Sequence, residues 1–321
     1  MEYTHKPVLL TECLEGLNIR PDGVYVDGTL GRAGHSLEIV RRLAAGRLIA
    51  IDRDQAALDA APARLEGYMD KVALVRGNFG DLSRILASLD LGGVDGMLFD
   101  LGVSSPQLDD GSRGFSYLQD APLDMRMDQS APLTARDVVN GWSREELKRI
   151  LWQYGEERYS GPIAAAIVRA REQAPIETTG QLAELIRSAM PAKARREKQH
   201  PAKRSFQAIR IAVNDELGEV ERLLGSALDA LNPGGRLAII SFHSLEDRLV
   251  KTAYGEWAKG CTCPPDFPVC VCGKTPKVRL VGKRPITAGE QELADNPRSR
   301  SAKLRVAEKL CPPALWRRSG F

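Results

Sequence analysis

The sequence predicts an α/β protein with a Rossmann-like, doubly wound sheet and an inserted all-helical domain. Four apolar runs, which end at Asp27, Asp52, Val75 and Asp100, alternate with segments of helical periodicity. From about residue 109 to 204 only helical patterns occur. Strand patterns return further along the chain. The alternation therefore indicates one sheet domain that is split by a helical insertion.

The first predicted strand, Val24–Asp27, leads into a turn with glycines at 28, 31 and 34, and helical periodicity starts at Leu37. Glycine permits positive φ and lets a ligand approach the main chain. The helix that follows presents free N–H groups at its start. The Gly-x-x-Gly-x-x-Gly spacing differs from the Gly-x-Gly-x-x-Gly of most dinucleotide folds. A plain tight turn is therefore the alternative to a ligand-binding turn.

Polar or aromatic residues follow each of these strands. Asp52 lies about 20 residues beyond the glycine turn, where an acid commonly binds a ribose hydroxyl. Phe79 either lines an adenine pocket or covers the core. Doubly wound sheets bind ligands beyond the carboxyl ends of their strands. We therefore expect Asp27, Asp52, Phe79 and Asp100 to converge on one crevice for an adenosine-type ligand.

A polar loop follows Asp100 where a helix would normally begin. Its Ser104-Ser105-Pro106-Gln107 stretch resembles in part the Ser/Asn/Asp-Pro-Pro-aromatic loop of enzymes that methylate exocyclic base amines. Gln107 stands where the second proline would be. Loops at this edge of a sheet commonly carry function.

The expected domain boundaries place the first part of the sheet domain at 1–108, the insertion at 109–204 and the second part at 205–321. Within the insertion, Ser143 and Glu146 form a capping box that starts the first of three helices.

In the second part, residues 232–235 (Asn-Pro-Gly-Gly) predict a turn before a fifth strand at 236–242. Ser244 and Asp247 are expected to cap the next helix. The last two strands are expected at 278–281 and 304–306.

Composition favours a globular protein: of 321 residues, 43% are hydrophobic and 27% are charged, and the net charge is only +3. No apolar run approaches the ~20 residues that cross a bilayer. The N-terminus lacks a signal-peptide pattern, so we expect a cytoplasmic protein without membrane contact.

Two basic runs suit phosphate backbones, with a solvated surface as the alternative for each. Their members are Lys193, Arg195, Arg196, Lys198, Lys203 and Arg204, and Arg298, Arg300, Lys303, Arg305, Lys309, Arg317 and Arg318.

In the cytoplasm we do not expect the six cysteines to form a disulfide framework. Cys261, Cys263, Cys270 and Cys272 form two Cys-x-Cys pairs that could bind one structural zinc ion. The alternative is a reduced, proline-stiffened loop, and the sequence leaves the two open.

Several stretches together match one known family. They are His5-Lys6-Pro7-Val8-Leu9-Leu10, residues 27–36 (DGTLGRAGHS), residues 100–107 (DLGVSSPQ), Asp124-Met125-Arg126-Met127, residues 206–214 (FQAIRIAVN), residues 241–248 (SFHSLEDR) and residues 296–301 (NPRSRS). Over essentially its whole length the chain resembles the MraW family of bacterial methyltransferases for small-subunit ribosomal RNA.

The resemblance implies a class I methyltransferase fold that uses S-adenosylmethionine. It implies methylation of the exocyclic N4 amine of a cytidine in the decoding region (P site) of 16S ribosomal RNA, within the small subunit. Carried onto this sequence, the contacts with the methyl donor fall on Ala33, Gly34, His35, Asp52, Phe79, Asp100 and Gln107. The family often has glycine at position 33, so the alanine here is expected to avoid positive φ.

Asp100, Ser104 and Ser105 remain alternatives for the group that helps to remove a proton from the amine. Two other functions remain as well. A nucleotide-dependent dehydrogenase would bind NAD rather than S-adenosylmethionine. A non-catalytic ribosome-assembly factor would bind RNA through the basic insertion. The oligomeric state stays open.

Overall fold

A computed structural model describes residues 7–197, 199–264, 269 and 271–311, and these residues form two compact units. The sheet unit contains the described residues up to Gly102 and from Gly218 onward, and the helical unit is Val103–Leu217. The helical unit thus starts before and ends after the 109–204 segment expected from the sequence. Among the described residues, no helix has the length and apolar character that a membrane span requires.

The sheet unit is built on seven strands. They are β1 (Val24–Asp27), β2 (Arg47–Asp52), β3 (Val72–Arg76), β4 (Val94–Asp100), β5 (Leu231–Ser241), β6 (Val278–Leu280) and β7 (Lys303–Lys309). Their order is β3-β2-β1-β4-β5-β7-β6. The first five are parallel, and β7 is antiparallel to both of its neighbours. This order confirms the predicted class I methyltransferase fold.

The helices divide between the two units. Those of the sheet unit are α1 (Leu10–Leu17), α2 (Gly34–Val40), α3 (Gln55–Arg64), α4 (Leu82–Ser88), most of α12 (Glu216–Ala230), α13 (Ser244–Ala258) and α14 (Glu290–Asp295). Those of the helical unit are α5 (Ser105–Asp109), α6 (Ala135–Gly141), α7 (Arg144–Gln153), α8 (Ser160–Arg171), α9 (Thr179–Ala189), α10 (Ala192–Arg195) and α11 (Lys203–Asn214).

Two apolar cores cover the two faces of the sheet. Met97 and Phe99 of β4 belong to one core, together with side chains of α4, α12 and α13. Leu98, between them, belongs to the other core, together with side chains of α1, α2 and α3. Successive strand residues point to opposite faces. Burial on both faces explains why the central strands read as nearly continuous apolar runs.

The predicted turn at 232–235 is instead an irregular stretch inside β5. Val94 pairs with Leu231, but Gly96 pairs with Arg236, so the register shifts and the residues between Leu231 and Arg236 bulge out of the ladder. Gly234 takes a φ of 80° within it. Pairing with β4 on both sides of the excursion brings the turn residues inside the strand.

The expected capping pair of Ser244 and Asp247 is wrong. The N-cap of α13 is His243, and its partner in the capping box is Glu246. The Glu246 carboxylate accepts the N–H groups of Phe242 and His243 at 2.9 and 3.3 Å. Asp247 is not available as a cap because its carboxylate pairs with basic side chains of β7.

The helical unit has its own core, to which Leu147, Ile163, Leu182 and Phe206 contribute from four helices. The capping box of Ser143 and Glu146 at the start of α7 is confirmed.

In the same unit, the motifs at residues 124–127 and 206–214 meet at the buried side chain of Asn214. Its Oδ1 accepts the N–H of Met127 at 2.8 Å, and its Nδ2 donates to Met125 O at 2.7 Å. Asn214 therefore fixes the backbone around Arg126.

Gly28 has no room for a side chain. An added Cβ would lie 2.0 Å from Cε1 of the fully buried Phe99 ring. We therefore expect Gly28→Ala to lower the free energy of unfolding by about 1–3 kcal/mol, as other overpacked core substitutions do. Chemical denaturation measures this change.

Gly225→Ala is the matched control, because nothing lies within 4 Å of its added Cβ in α12. Because alanine has a higher helix propensity than glycine, this variant should be as stable as the parent or slightly more stable. Equal stability of Gly28→Ala and the parent protein would contradict the packing argument.

Candidate functional site

The glycine turn after β1 is hydrogen-bonded to β4. Gly28 N–H donates to Leu98 O at 2.9 Å. In the opposite direction, the N–H of Asp100 donates to Thr29 Oγ1 at 2.6 Å. The end of β4 is therefore held against the start of the turn.

The same turn is hydrogen-bonded to β2. Leu30 N–H donates to Ile51 O at 3.0 Å, and Gly31 N–H donates to Asp52 Oδ2 at 2.8 Å. Gly31 has a φ of 49°, which glycine adopts without strain. The backbone of the turn therefore holds the side chain of Asp52 in place.

Asp27 holds the turn from inside. Its side chain is almost fully buried, and its Oδ2 accepts from Ser36 Oγ at 2.6 Å, while Oδ1 accepts from Thr29 N–H at 3.1 Å. Burial raises the pKa of this carboxyl, and the hydrogen bonds from Ser36 and Thr29 oppose the shift. Asp27 therefore serves to join β1 to α2.

Ala33 adopts positive φ, so the expectation that it would avoid this conformation is wrong. Its φ is 56° and its ψ is 26°, and it is the N-cap of α2. Its N–H donates to Leu30 O at 2.6 Å, which closes the turn in front of the helix. The turn geometry, fixed on both sides, outweighs a left-handed cost of about 1–2 kcal/mol for a non-glycine residue.

The amides left for a ligand at the start of α2 are those of Gly34 and His35, the first two helical residues, which have no partner within a helix. At Gly34 an added Cβ would lie 2.5 Å from Pro7 Cγ, so this glycine is needed for a close approach. His5 and Lys6, the other residues of that N-terminal motif, lie outside the described residues.

Asp52 sits at the end of β2 with its side chain partly exposed. Besides Gly31, it accepts the N–H of Asp54, through Oδ1 at 2.9 Å. Burial raises its pKa, and these two backbone bonds lower it. Each carboxylate oxygen keeps acceptor capacity for a hydroxyl, because an oxygen can accept more than one hydrogen bond.

Phe79 begins a short 3₁₀ turn after β3 and is partly buried. Its ring meets the Phe99 ring edge to face, with 5.8 Å between centroids and 64° between planes. Phe79 thus covers the core, which was one of the two interpretations. Its partial exposure leaves the adenine role as a proposal.

Asp100 and His35 form the polar centre of this edge. His35 is buried, and its Nε2–H donates to Val8 O at 2.9 Å. Burial lowers its pKa to about 4, so the imidazole is neutral and Nδ1 carries a free lone pair. This Nδ1 lies 3.9 Å from Asp100 Oδ2.

The carboxyl of Asp100 is the most perturbed acid of this edge. Burial, followed by the charges of Asp27 and Glu246, raises its pKa to about 8. Its Oδ1 is buried without a hydrogen-bond partner among the described residues, although 26% of the side-chain surface is exposed. A buried acceptor without a partner and a raised pKa together mark a binding position for a cation or a proton.

Comparison with known proteins identifies the family. The model of the MraW methylase family matches residues 2–310. The chain belongs to this family. Among curated relatives, ribosomal RNA small subunit methyltransferase H of Paenibacillus sp. (strain JDR-2) is 60% identical over 315 residues, 96% of this chain and 100% of the relative. The protein of the same name from Brevibacillus brevis is 58% identical over 311 residues, 97% and 99% of the two chains.

Family membership confirms the predicted resemblance, and the roles of the strand-end residues in methyl transfer stay a proposal. The structure brings Asp52 and Asp100, with the amides of Gly34 and His35, around one glycine turn of the sheet unit. Two side chains that hydrogen-bond within this turn were not singled out from the sequence, namely Thr29 and Ser36. The sequence does contain a pattern that could have indicated them: Thr29 lies between Gly28 and Gly31, and Ser36 directly follows His35.

Ser104, Ser105 and Gln107 belong to the helical unit, at the start of α5. Gln107 is buried, and its Oε1 accepts the N–H of Ser104 at 3.0 Å as part of a capping box. The role of these three residues in this family member stays a proposal.

The two basic runs differ in structure. Lys193, Arg195, Arg196 and Lys203 are exposed, and among the described residues no ion pair engages them. By contrast, several basic residues of the C-terminal run have partners in the sheet unit: Lys303 and Arg305 pair with Asp247 at 3.2 and 2.7 Å, and Lys309 Nζ donates to Leu231 O at 2.6 Å. Lys198, Arg317 and Arg318 lie outside the described residues.

Of the four clustered cysteines, Cys261, Cys263 and Cys272 come together, with their sulfur atoms within 4.8 Å of one another. Cys270 lies outside the described residues.

The raised pKa of Asp100 predicts a specific pH dependence. Between the ordinary carboxyl pKa, below 4, and about 8, the native protein binds a proton that the unfolded chain has lost, so stability falls as pH rises through this range. Asp100→Asn removes the titration. The stability of this variant relative to the parent should rise by about 1–3 kcal/mol between pH 6 and pH 9. The lower end of this energy range allows for solvent screening, because Asp100 is partly exposed.

Denaturation at both pH values measures this difference. Asp90→Asn is the control, because Asp90 is exposed in the same unit and its left-handed backbone suits asparagine. The control should differ from the parent by the same amount at pH 6 and pH 9. A pH-independent difference for Asp100→Asn would disprove the shifted carboxyl.

Proposed function

We propose that this protein transfers a methyl group from S-adenosylmethionine to the exocyclic N4 amine of a cytidine in the decoding region (P site) of 16S ribosomal RNA. Membership of a methylase family supports methyl transfer. The names of the relatives support small-subunit ribosomal RNA as the substrate. The observation that carries the proposal is Asp100, a partly exposed acid with a buried acceptor atom beside the glycine turn.

Asp52 and Phe79 suit the nucleoside part of the methyl donor. Gly31 and Asp54 hold the Asp52 carboxylate in place, so it can accept from ribose hydroxyls without a large loss of side-chain entropy. Phe79 offers an aromatic surface for adenine, while its contact with Phe99 fixes the ring.

Asp100 and the amides of Gly34 and His35 suit the amino-acid part. An ammonium group would supply the hydrogen-bond donor that Asp100 Oδ1 lacks, and its positive charge would favour the ionised carboxylate. The two amides present N–H groups to a carboxylate. Neutral His35 adds no competing positive charge next to the ammonium.

When bound, S-adenosylmethionine supplies an electrophilic methyl group on a sulfonium. The cytidine amine is a weak nucleophile, because its lone pair is delocalised into the ring. The main task of the protein is therefore to hold the amine in line with that methyl group. One proton must leave the amine, and Asp100, Ser104 and Ser105 are the proposed groups that orient its hydrogens or accept that proton.

The basic segment, defined as Lys193, Arg195, Arg196 and Lys203, suits the RNA backbone. These side chains are exposed and provide positive charge without sequence specificity. The target base must be unpaired or flipped, because a stacked base does not expose its amine to an enzyme site.

Transfer of labelled methyl groups tests the function. The parent protein should label one cytidine of 16S RNA, offered either naked or within small subunits, and mapping should place the label on N4. Asp100→Ala should lower transfer by about 100-fold or more, if positioning and proton transfer both depend on this carboxyl. Asp59→Ala, at an exposed position of α3, serves as the matched control and should retain activity.

Transfer and binding assays separate the alternatives. Binding of 16S RNA by the folded parent protein without any transfer of label would support the assembly-factor alternative. Binding of NAD without binding of S-adenosylmethionine would support the dehydrogenase alternative. Either result would overturn the proposal.

Neutralising the basic segment tests its role in RNA binding. Replacing Lys193, Arg195 and Arg196 by Gln should weaken RNA binding and reduce the slope of log affinity against log salt by about 1 for each phosphate that the variant no longer neutralises. Replacing Arg47, Arg64 and Lys251, exposed residues of the sheet unit, by Gln gives a control of equal charge. Equal salt slopes for the two triple variants would contradict the assignment.

A further inference from the structure

Among the described residues of the segment between α13 and β6 (259–264, 269 and 271–277) there is no helix or strand. Its apolar side chains Val269 and Val271 are 68% and 73% exposed, so they do not anchor it in a core. Its ends are joined, since Lys277 N–H donates to Trp257 O at 2.7 Å. Small structures without a core are commonly stabilised by a disulfide or a metal ion.

Three thiols converge within this segment. The sulfur atoms of Cys261, Cys263 and Cys272 lie within 4.8 Å of one another, and those of Cys261 and Cys272 are 3.7 Å apart. Tetrahedral zinc–thiolate bonds of about 2.3 Å place two sulfur ligands ~3.8 Å apart. A disulfide requires ~2.05 Å. The observed separation therefore matches two ligands of one zinc ion.

Backbone amides orient each of the three sulfur atoms. Thr262 N–H donates to Cys272 Sγ at 3.3 Å, and Cys263 N–H donates to Cys261 Sγ at 3.4 Å. Val271 N–H donates to Cys263 Sγ at 3.4 Å. These hydrogen bonds hold the three sulfur atoms in position within the loop.

We propose that Cys261, Cys263 and Cys272 bind one zinc ion that holds the loop between α13 and β6. An all-sulfur cluster selects zinc over magnesium or calcium, which prefer oxygen ligands. The role is structural and does not depend on the proposed methyl transfer.

The metal content of the full-length chain tests the proposal. The chain is purified without immobilised metal and without chelator, and zinc is measured by mass spectrometry of the elements. About one zinc ion per chain is expected, and the variants Cys261→Ser, Cys263→Ser and Cys272→Ser should each lose most of it. Cys311→Ser, which changes an exposed cysteine outside the cluster, should keep the full amount.

Cobalt gives an independent spectroscopic readout. Cobalt added to the metal-free parent chain and to Cys311→Ser should give thiolate charge-transfer and tetrahedral d–d bands, and the three cluster variants should lack them. Removal of zinc should also speed tryptic cleavage after Lys259 or Lys274. Less than about 0.1 zinc per chain with no such cobalt bands would overturn the proposal, as would an intact mass that shows a Cys261–Cys272 disulfide.

Discussion

The site depends on one constraint, the fixed position of the glycine turn after β1 between two neighbouring strands. Hydrogen bonds from residues 28–31 reach β4 on one side and β2 on the other, and Asp27 holds the turn from the interior. A shift of the turn would therefore move both Asp52 and the backbone of Asp100. The carboxylate of Asp52 and the backbone of Asp100, both of which we assign to the site of the methyl donor, are thus positioned by hydrogen bonds to this turn, which limits reorganisation on binding.

Burial gives this edge its chemical character. Asp27, Asp100 and Glu246 place negative charge near one another in a poorly solvated region, and the pKa of Asp100 rises to about 8 as a result. Burial alone lowers the pKa of His35 to about 4, so its imidazole is neutral. A cation that enters here favours the ionised form of Asp100 and meets an imidazole that does not repel it. A bound ammonium would relieve the electrostatic cost that the protein alone carries.

The sequence predicted the convergence of Asp27, Asp52, Phe79 and Asp100 because parallel strands must end at one edge of the sheet. The structure places Asp52 and Asp100 around the glycine turn but buries Asp27 inside it. It failed where distant residues decide a local structure. Residue type alone argued against positive φ at Ala33, but strand contacts on both sides of the turn impose it. Likewise, the local pattern could not show that Asp247 pairs with β7, more than fifty residues away, which leaves the cap of α13 to His243 and Glu246.

A crystal structure of the full chain with S-adenosylhomocysteine tests the central claim most directly, because this product retains both the ribose and the ammonium. The account predicts that the ribose hydroxyls donate to Asp52, that adenine contacts Phe79 and that the ammonium donates to Asp100 Oδ1. A ligand that binds at the same edge without contact to Asp52 and Asp100, or that binds elsewhere on the chain, would contradict it.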